Sequence, residues 1–263
     1  MFSVKHKGGS DLNKLIKTLA VITAVISAIA AITAGIAFIA ERIEELKNYG
    51  KELRHKPYGI YERFIKRPLD CFLSTGALIV LSPVMAITSL LVRKKLGAPV
   101  LFTQDRPGRN EKIFKLYKFR TMTDERNENG ELLPDDVRLT KFGKVLRATS
   151  LDELPELLNI IKGDMAVVGP RPLLIRYLPY YKDSERCRHW IRPGLTGNAQ
   201  VHGRNYVMWD DRMALDVEYA NHITLKDDVK IICQTVGKVL KHDGVAEKRI
   251  IPFDEARKQE VGI

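Results

Sequence analysis

The chain has 263 residues, a formal net charge of +11 and a sequence pI of about 9.5, enough for one sizeable core plus an extension and biased toward anionic partners. Cys71, Cys187 and Cys233 and the six histidines are too few and too scattered for a disulfide framework, a zinc site or a redox pair, as in a reducing, cytoplasm-facing protein. The sequence has no Walker A loop, GxSxG elbow or HExxH helix, while nucleic acid, an anionic membrane and phosphorylated substrates all stay open as partners.

The first predicted element is an apolar helix over about residues 15–40. Thr18 to Ala40 carries no charge and is long enough at 1.5 Å per residue to cross a bilayer. Lys5, Lys7, Lys14 and Lys17 precede it and Glu41, Arg42, Glu44 and Glu45 follow, which fits an uncleaved anchor better than a signal peptide. Small residues recur every fourth position at Ala20, Ala24 and Ala28, and at Ser27, Ala31 and Gly35, a spacing that permits close helix packing and self-association. An Ala-rich helix in a soluble assembly is the plainer alternative.

A second uncharged run, Cys71 to Val92, is broken by Ser82-Pro83 near its middle, where proline removes a backbone donor and bends a helix. Its flanks are equally basic, with Arg63, Lys66 and Arg67 before it and Arg93, Lys94 and Lys95 after it. A spanning helix collects Lys and Arg on one side. Equal flanks and a central break suit a segment that dips in and returns, and a spanning helix with a proline kink stays equally open at this point. From Arg93 to Asp124 nine Lys or Arg stand against three Asp or Glu. Directly after a membrane segment, that stripe reads more simply as a contact with anionic lipid than as a nucleic-acid groove. Further on, Leu225, Val229, Ile232, Val236 and Leu240 share one helix face with lysines around it, the pattern of a helix packed on a core or lying on a membrane interface. Leu173 to Lys182, with three tyrosines and Arg176, has the same interfacial composition.

The chemistry concentrates in Ser150 to Leu158. Pro155 suits the first turn of a helix and Gly163 the position past its end. Asp152 and Glu153 therefore fall at the positive end of that helix, where an ionised carboxylate is favoured and could attack phosphorus or hold a divalent cation. The plain reading is a solvated cap, since Ser150 and Glu153 also spell a capping box. Attack on a diphosphate by an anion requires cations around it. Lys118, Arg120, Arg147, Arg171 (between Pro170 and Pro172) and Arg204 are the candidates.

These segments resemble a known family, the monotopic polyprenyl-phosphate phosphoglycosyl transferases, or bacterial sugar transferases. The resemblance runs from about Phe64 to Gly244. It is carried by Lys66-Arg67-Pro68-Leu69-Asp70, Ser82-Pro83, Arg106-Pro107-Gly108, Lys118 to Met122, Ser150 to Pro155, Gly163-Asp164-Met165, Gly169 to Pro172 and Pro193 to Gly197. Together with the apolar run that precedes it, the resemblance gives a mixed α/β, mostly helical protein in three parts. These are an N-terminal extension with a membrane helix (1–60), a re-entrant helix-break-helix (61–95) whose break is Ser82-Pro83, and a cytoplasmic catalytic domain (96–263) with a small sheet around Val100 to Met122. It also implies a two-step reaction at the bacterial inner membrane. Asp152 attacks the sugar-proximal phosphate of a UDP-sugar, releasing UMP, and polyprenyl (undecaprenyl) phosphate then takes the phosphosugar. Glu153 joins Asp152 in binding Mg²⁺, and Lys118, Arg147, Arg171 and Arg204 meet the phosphates or nucleotide. A UDP-releasing glycosyl transferase and a non-enzymatic basic membrane adaptor are the competing readings. The first sixty residues depart from the family's small members, and the tail after Gly244 matches no motif.

Overall fold

The computed structural model describes residues 55–203, 208–240 and 251–261, together with Thr33. Apart from Thr33, the apolar run over 15–40 lies outside the described residues, as does Arg204. After a π-helical turn at Tyr61–Ile65, helix α1 runs over Lys66–Leu96. It is long and apolar enough to cross a membrane by length and composition. Phe72, Val80, Ile87 and Leu90 are exposed along it, while Arg67, Asp70, Cys71 and Ser74 near one end and Thr88, Val92 and Leu96 near the other are buried. The expected break at Ser82-Pro83 is not a gap, because the chain stays helical through Pro83. Proline removes the donor that Ile79 O would have received, and Ser82 Oγ donates to that same carbonyl at 2.8 Å, so the freed acceptor is satisfied inside an apolar segment.

Beyond α1, strands β1 (Leu101–Pro107) and β2 (Ile113–Phe119) form an antiparallel hairpin with Leu101 opposite Phe119 and Pro107 opposite Ile113. This is the small sheet expected between Val100 and Met122. Helix α2 (Lys141–Ala148) follows, capped by Thr140, whose hydroxyl accepts from Gly143 N at 3.0 Å. A Cβ at Gly143 would stand 1.9 Å from Thr121 O, so glycine is what lets α2 lie against the end of the hairpin. Helix α3 (Glu156–Lys162) starts after Pro155 and ends at Gly163, whose φ of 97° closes it in the left-handed region. Strands β3 (Ala166–Val168) and β4 (Gly194–Thr196) pair in parallel. Helices α4 (Asn198–Gly203), α5 (Trp209–Asn221), α6 (Leu225–Leu240) and α7 (Phe253–Val261) complete a mostly helical mixed fold.

Two polar ties position α3, and with it the acidic turn that precedes it. Asn159 is fully buried; its Nδ2 donates to Lys115 O at 2.7 Å, and its Oδ1 accepts from Tyr117 N at 3.0 Å. That locks α3 to β2, the strand carrying Lys118. At the other end Arg67 of α1 donates to Ile160 O and Ile161 O at 2.7 and 3.1 Å, satisfying carbonyls that a helix C-terminus leaves open. The start of α1 is itself held by Asp228 of α6, which takes Lys66 Nζ at 2.5 Å and the Tyr61 and Tyr219 hydroxyls at 2.6 Å each.

One surface departs from the sequence pattern, and on another the packing separates the alternatives the pattern left open. Tyr177 and Tyr181, read as interfacial, are buried with Leu173 around Phe253, because α7 supplies an aromatic partner that periodicity cannot reveal. On α6 the core face carries Asp228 and Ile231, while Leu225, Val229 and Val236 are 47, 51 and 53% exposed. Three residues of the apolar stripe thus face outward while Ile232 packs on the core, because the buried ionic network around Asp228 sets the rotation of the helix.

Candidate active site

A cavity of about 750 Å³ opens between the β1–β2 hairpin, the end of α2, the 150–153 turn, the Arg171 loop and α4–α5. Asp152, Glu153, Lys118, Arg120, Arg147 and Arg171, all singled out in the sequence, line it. Ser150 turns the chain at φ 55°, and a 3₁₀ turn at Leu151–Glu153 then presents the two acids ahead of α3. Leu151 and Leu154 face the other way, packing on the cluster of Val92, Leu96, Phe119 and Leu146. The alternation of apolar and acidic residues in Leu151-Asp152-Glu153-Leu154 thus anchors one side of the turn in the core while the acids meet the cavity.

The capping box does not form, since Ser150 makes no side-chain cap. Glu153 is drawn into an ion cluster instead. Its Oε1 accepts from Lys118 Nζ at 2.8 Å and from Arg171 Nη2 at 2.7 Å, and Lys118 also reaches Glu156 Oε1 at 3.0 Å. Burial raises the Glu153 carboxyl, but the charges of Arg171 and Lys118 outweigh that and hold it well below the usual carboxylate range. Asp152 differs from its neighbour. Buried to 7% exposure, it has no hydrogen bond or ion pair with a described residue. Burial and then the Glu153 charge push its carboxyl up, against Lys118, Arg147 and Arg171. An unengaged carboxylate of raised basicity, ringed by three cations, can attack an electrophile whose negative charge those cations neutralise.

The remaining candidates divide by what already occupies them. Arg147 Nε donates to Thr121 Oγ1 at 3.1 Å, which leaves its terminal nitrogens for a ligand. Arg120 is committed to the protein. It bonds Met122 O and Ala98 O at 3.0 Å each and pairs with Asp124 at 2.9 Å, pinning the end of β2. Several lining residues carried no motif signal: Arg188, Arg212, Asp216 and Gln200. Arg106 entered only through the motif Arg106-Pro107-Gly108, and Glu156 was given no role of its own.

Mg²⁺ is held by one or two carboxylates, with waters and substrate phosphates filling its other positions. Asp152 offers both oxygens and Glu153 its second, so the acid pair suits that mode. Among the described residues no group of three or more His, Cys, Asp or Glu is placed to form an all-protein cage.

Glu156 gives the site a pH signature. Burial, opposed by Lys118 and reinforced by Glu153, lifts its carboxyl from an ordinary 4.5 to about 7. A carboxyl raised on folding contributes its stability below the unfolded pKa and loses it as pH climbs through the folded one. The protein should therefore lose stability between about pH 5 and pH 8, by up to ~1.4 kcal/mol per unit. Glu156→Gln should flatten that loss. Urea midpoints at pH 5, 6, 7 and 8 check it, and parallel slopes in the two proteins would refute it.

A family model described as bacterial sugar transferase matches residues 61–242. The chain belongs to the bacterial sugar transferase family. It is 49% identical over 183 residues to the sugar transferase EpsL of Bacillus subtilis (strain 168), covering 70% of this chain and 91% of that one. It is 38% identical over 199 residues to the undecaprenyl-phosphate galactose phosphotransferase of Salmonella typhimurium, covering 69% and 42%. The UDP-glucose:undecaprenyl-phosphate glucose-1-phosphate transferase of Escherichia coli (strain K12) is 33% identical over 241 residues, covering 88% and 52%. This sugar transferase thus spans nearly all of EpsL and about half the length of the two longer relatives.

Proposed function

We propose that this sugar transferase moves a sugar 1-phosphate from a UDP-sugar to polyprenyl phosphate, through a phosphosugar bound covalently to Asp152, with release of UMP. The observation that carries the reading is the contrast within the acid pair, Glu153 engaged by Lys118 and Arg171 while Asp152 meets the cavity unengaged. A glycosyl transferase that released UDP would need no carboxylate kept free for phosphorus. Asp152 and Glu153 are the residues that would hold Mg²⁺, which when bound supplies neutralising charge to the diphosphate. Lys118, Arg147 and Arg171 take the phosphate oxygens, and exclusion of bulk water from a buried turn strengthens every one of those contacts.

The acceptor is a lipid, which requires the site to stand at a membrane. The exposed apolar length of α1 and the outward Leu225, Val229 and Val236 of α6, flanked by Lys226 and Lys230, give the protein the surface for it. We place α1 re-entrant in the cytoplasmic membrane of a bacterium, with both ends and the catalytic domain on the cytoplasmic side. Cysteines introduced singly beside Gly59 and beside Leu96, one at each end of α1, should both be labelled by an impermeant thiol reagent only from the cytoplasmic face; labelling of either from the other face would make α1 a spanning helix. The reaction itself is tested with a panel of UDP-sugars, Mg²⁺ and undecaprenyl phosphate. UMP as the nucleotide product is the expected result, and UDP in its place would overturn the reading.

A further inference from the structure

We infer that helix α7 is a positioning element for the reaction, in which Phe253 and Arg257 fix from behind the loop that carries Arg171. The inference rests on the role proposed above for Arg171 as a contact of the phosphates.

Helix α7 lies beyond residues 61–242, the part that the family model matches, yet it is deeply attached. Phe253 is 0% exposed and Arg257 is 4% exposed. The Phe253 ring meets those of Tyr177, Tyr181 and Trp209 at centroid distances of 5.5, 5.0 and 5.1 Å, within the range over which aromatic rings attract. Leu173, two residues past Arg171, and Met213 of α5 complete that buried cluster. Phe253 therefore fills the space between the Arg171 loop and α5, and both of these walls line the cavity, through Arg171 and Arg212. Arg257 ties the same two parts together by charge. It donates to Asp210 Oδ1 at the start of α5 at 2.8 Å, and it pairs with the buried Glu185.

From each anchor a short series of contacts leads to the acid pair. Glu185 Oε2 accepts from Lys182 N at 2.9 Å, which fixes the start of the 3₁₀ helix Asp183–His189. That helix carries Arg188. Its Nη1 donates to the Tyr181 hydroxyl at 3.1 Å and its Nη2 to Arg171 O at 2.7 Å. Arg171 Nη2 then donates to Glu153 Oε1 at 2.7 Å. Tyr181 packs on Phe253, and Glu185 is held by Arg257, so α7 sets both sides of Arg188. Among the described residues of α7 none lines the cavity, so its influence on bound phosphate passes through these contacts. Loss of the Phe253 ring would leave a void that its neighbours fill only in part. Tyr181 stands against that void, and its hydroxyl would leave Arg188 as the ring moved in.

Calorimetry with UDP on the full chain in detergent reads the placement of Arg171 apart from turnover, because UDP carries the diphosphate and no sugar to transfer. Arg171→Gln should weaken UDP at least tenfold. Phe253→Ala should weaken it at least fivefold, with most of the affinity recovered in Phe253→Leu, while Glu255→Gln on the exposed side of α7 should leave it unchanged. The deciding protein is the double variant. In the Arg171→Gln background Phe253→Ala should cost less than a further twofold, since the guanidinium it positions is gone; a merely structural role would cost the same factor in both backgrounds. Should Phe253→Ala fail to fold, Arg257→Lys, which keeps the charge and loses the fork that bridges two acids, carries the same expectation. An affinity within twofold of wild type in the α7 variants, or equal losses in the two backgrounds, would overturn the inference. An Arg171→Gln protein that bound UDP as wild type does would instead sink the phosphate role of Arg171, so the two failures are told apart.

Discussion

Replacing Asp152 by Asn should abolish turnover, by at least about 10³-fold as expected for loss of a covalent nucleophile, while leaving the protein as stable as before or more so. The two halves of that expectation share one cause. Burial and the neighbouring Glu153 charge raise the Asp152 carboxyl, which means that folding works against its ionised form. Asparagine has nearly the same shape without that charge, so the site loses its reactive oxygen and also an electrostatic burden. The thermal midpoint should hold or rise at pH 7.5. Mass spectrometry of the wild type incubated with UDP-sugar and no acceptor should show a phosphosugar on Asp152, and the variant should show none. Near-normal turnover in Asp152→Asn would remove this residue from the chemistry altogether. A variant that lost activity together with its fold would point to a structural role for the turn.

How much of this was legible beforehand follows from range along the chain. The helix after Asp152-Glu153 could be read because its signals are local: Pro155 opens it and Gly163 closes it, and both stand where expected. The hairpin between Leu101 and Phe119 and the apolar α1 were legible for the same reason. What local pattern could not show was which acid of the pair is free. That depends on Lys118, which β2 brings to Glu153 from 35 positions away, and on Arg171 from 18 positions away. Arg188 and Asp216 were invisible because each looks like an ordinary charged residue of a surface turn or helix. Tyr177 and Tyr181 were misread for want of their partner Phe253, more than seventy positions on. The outward rotation of α6 was hidden because a buried aspartate outweighs an apolar stripe only when Lys66, Tyr61 and Tyr219 converge on it.

Arg188 is where stability and catalysis should come apart. Its side chain and that of Asp216 are 1% and 3% exposed, and burial raises Asp216 even against the charge of its partner. The pair is therefore held at a desolvation cost comparable to its attraction. Removing one member strands the other: Arg188→Met should cost about 3–5 kcal/mol in unfolding free energy, the range for an orphaned buried charge. The double variant Arg188→Met with Asp216→Leu should recover most of that loss, because apolar side chains of similar volume replace a buried pair at little net cost. Activity should not return with it. Arg188 Nη2 also donates to Arg171 O at 2.7 Å, and this bond holds the backbone from which Arg171 reaches Glu153. A misplacement of that guanidinium by about 1 Å is enough for a loss on the order of 10²-fold. Urea titration and UMP release, measured on the same three proteins, separate the effects. Recovery of turnover along with stability in the double variant would mean that Arg188 serves the fold alone.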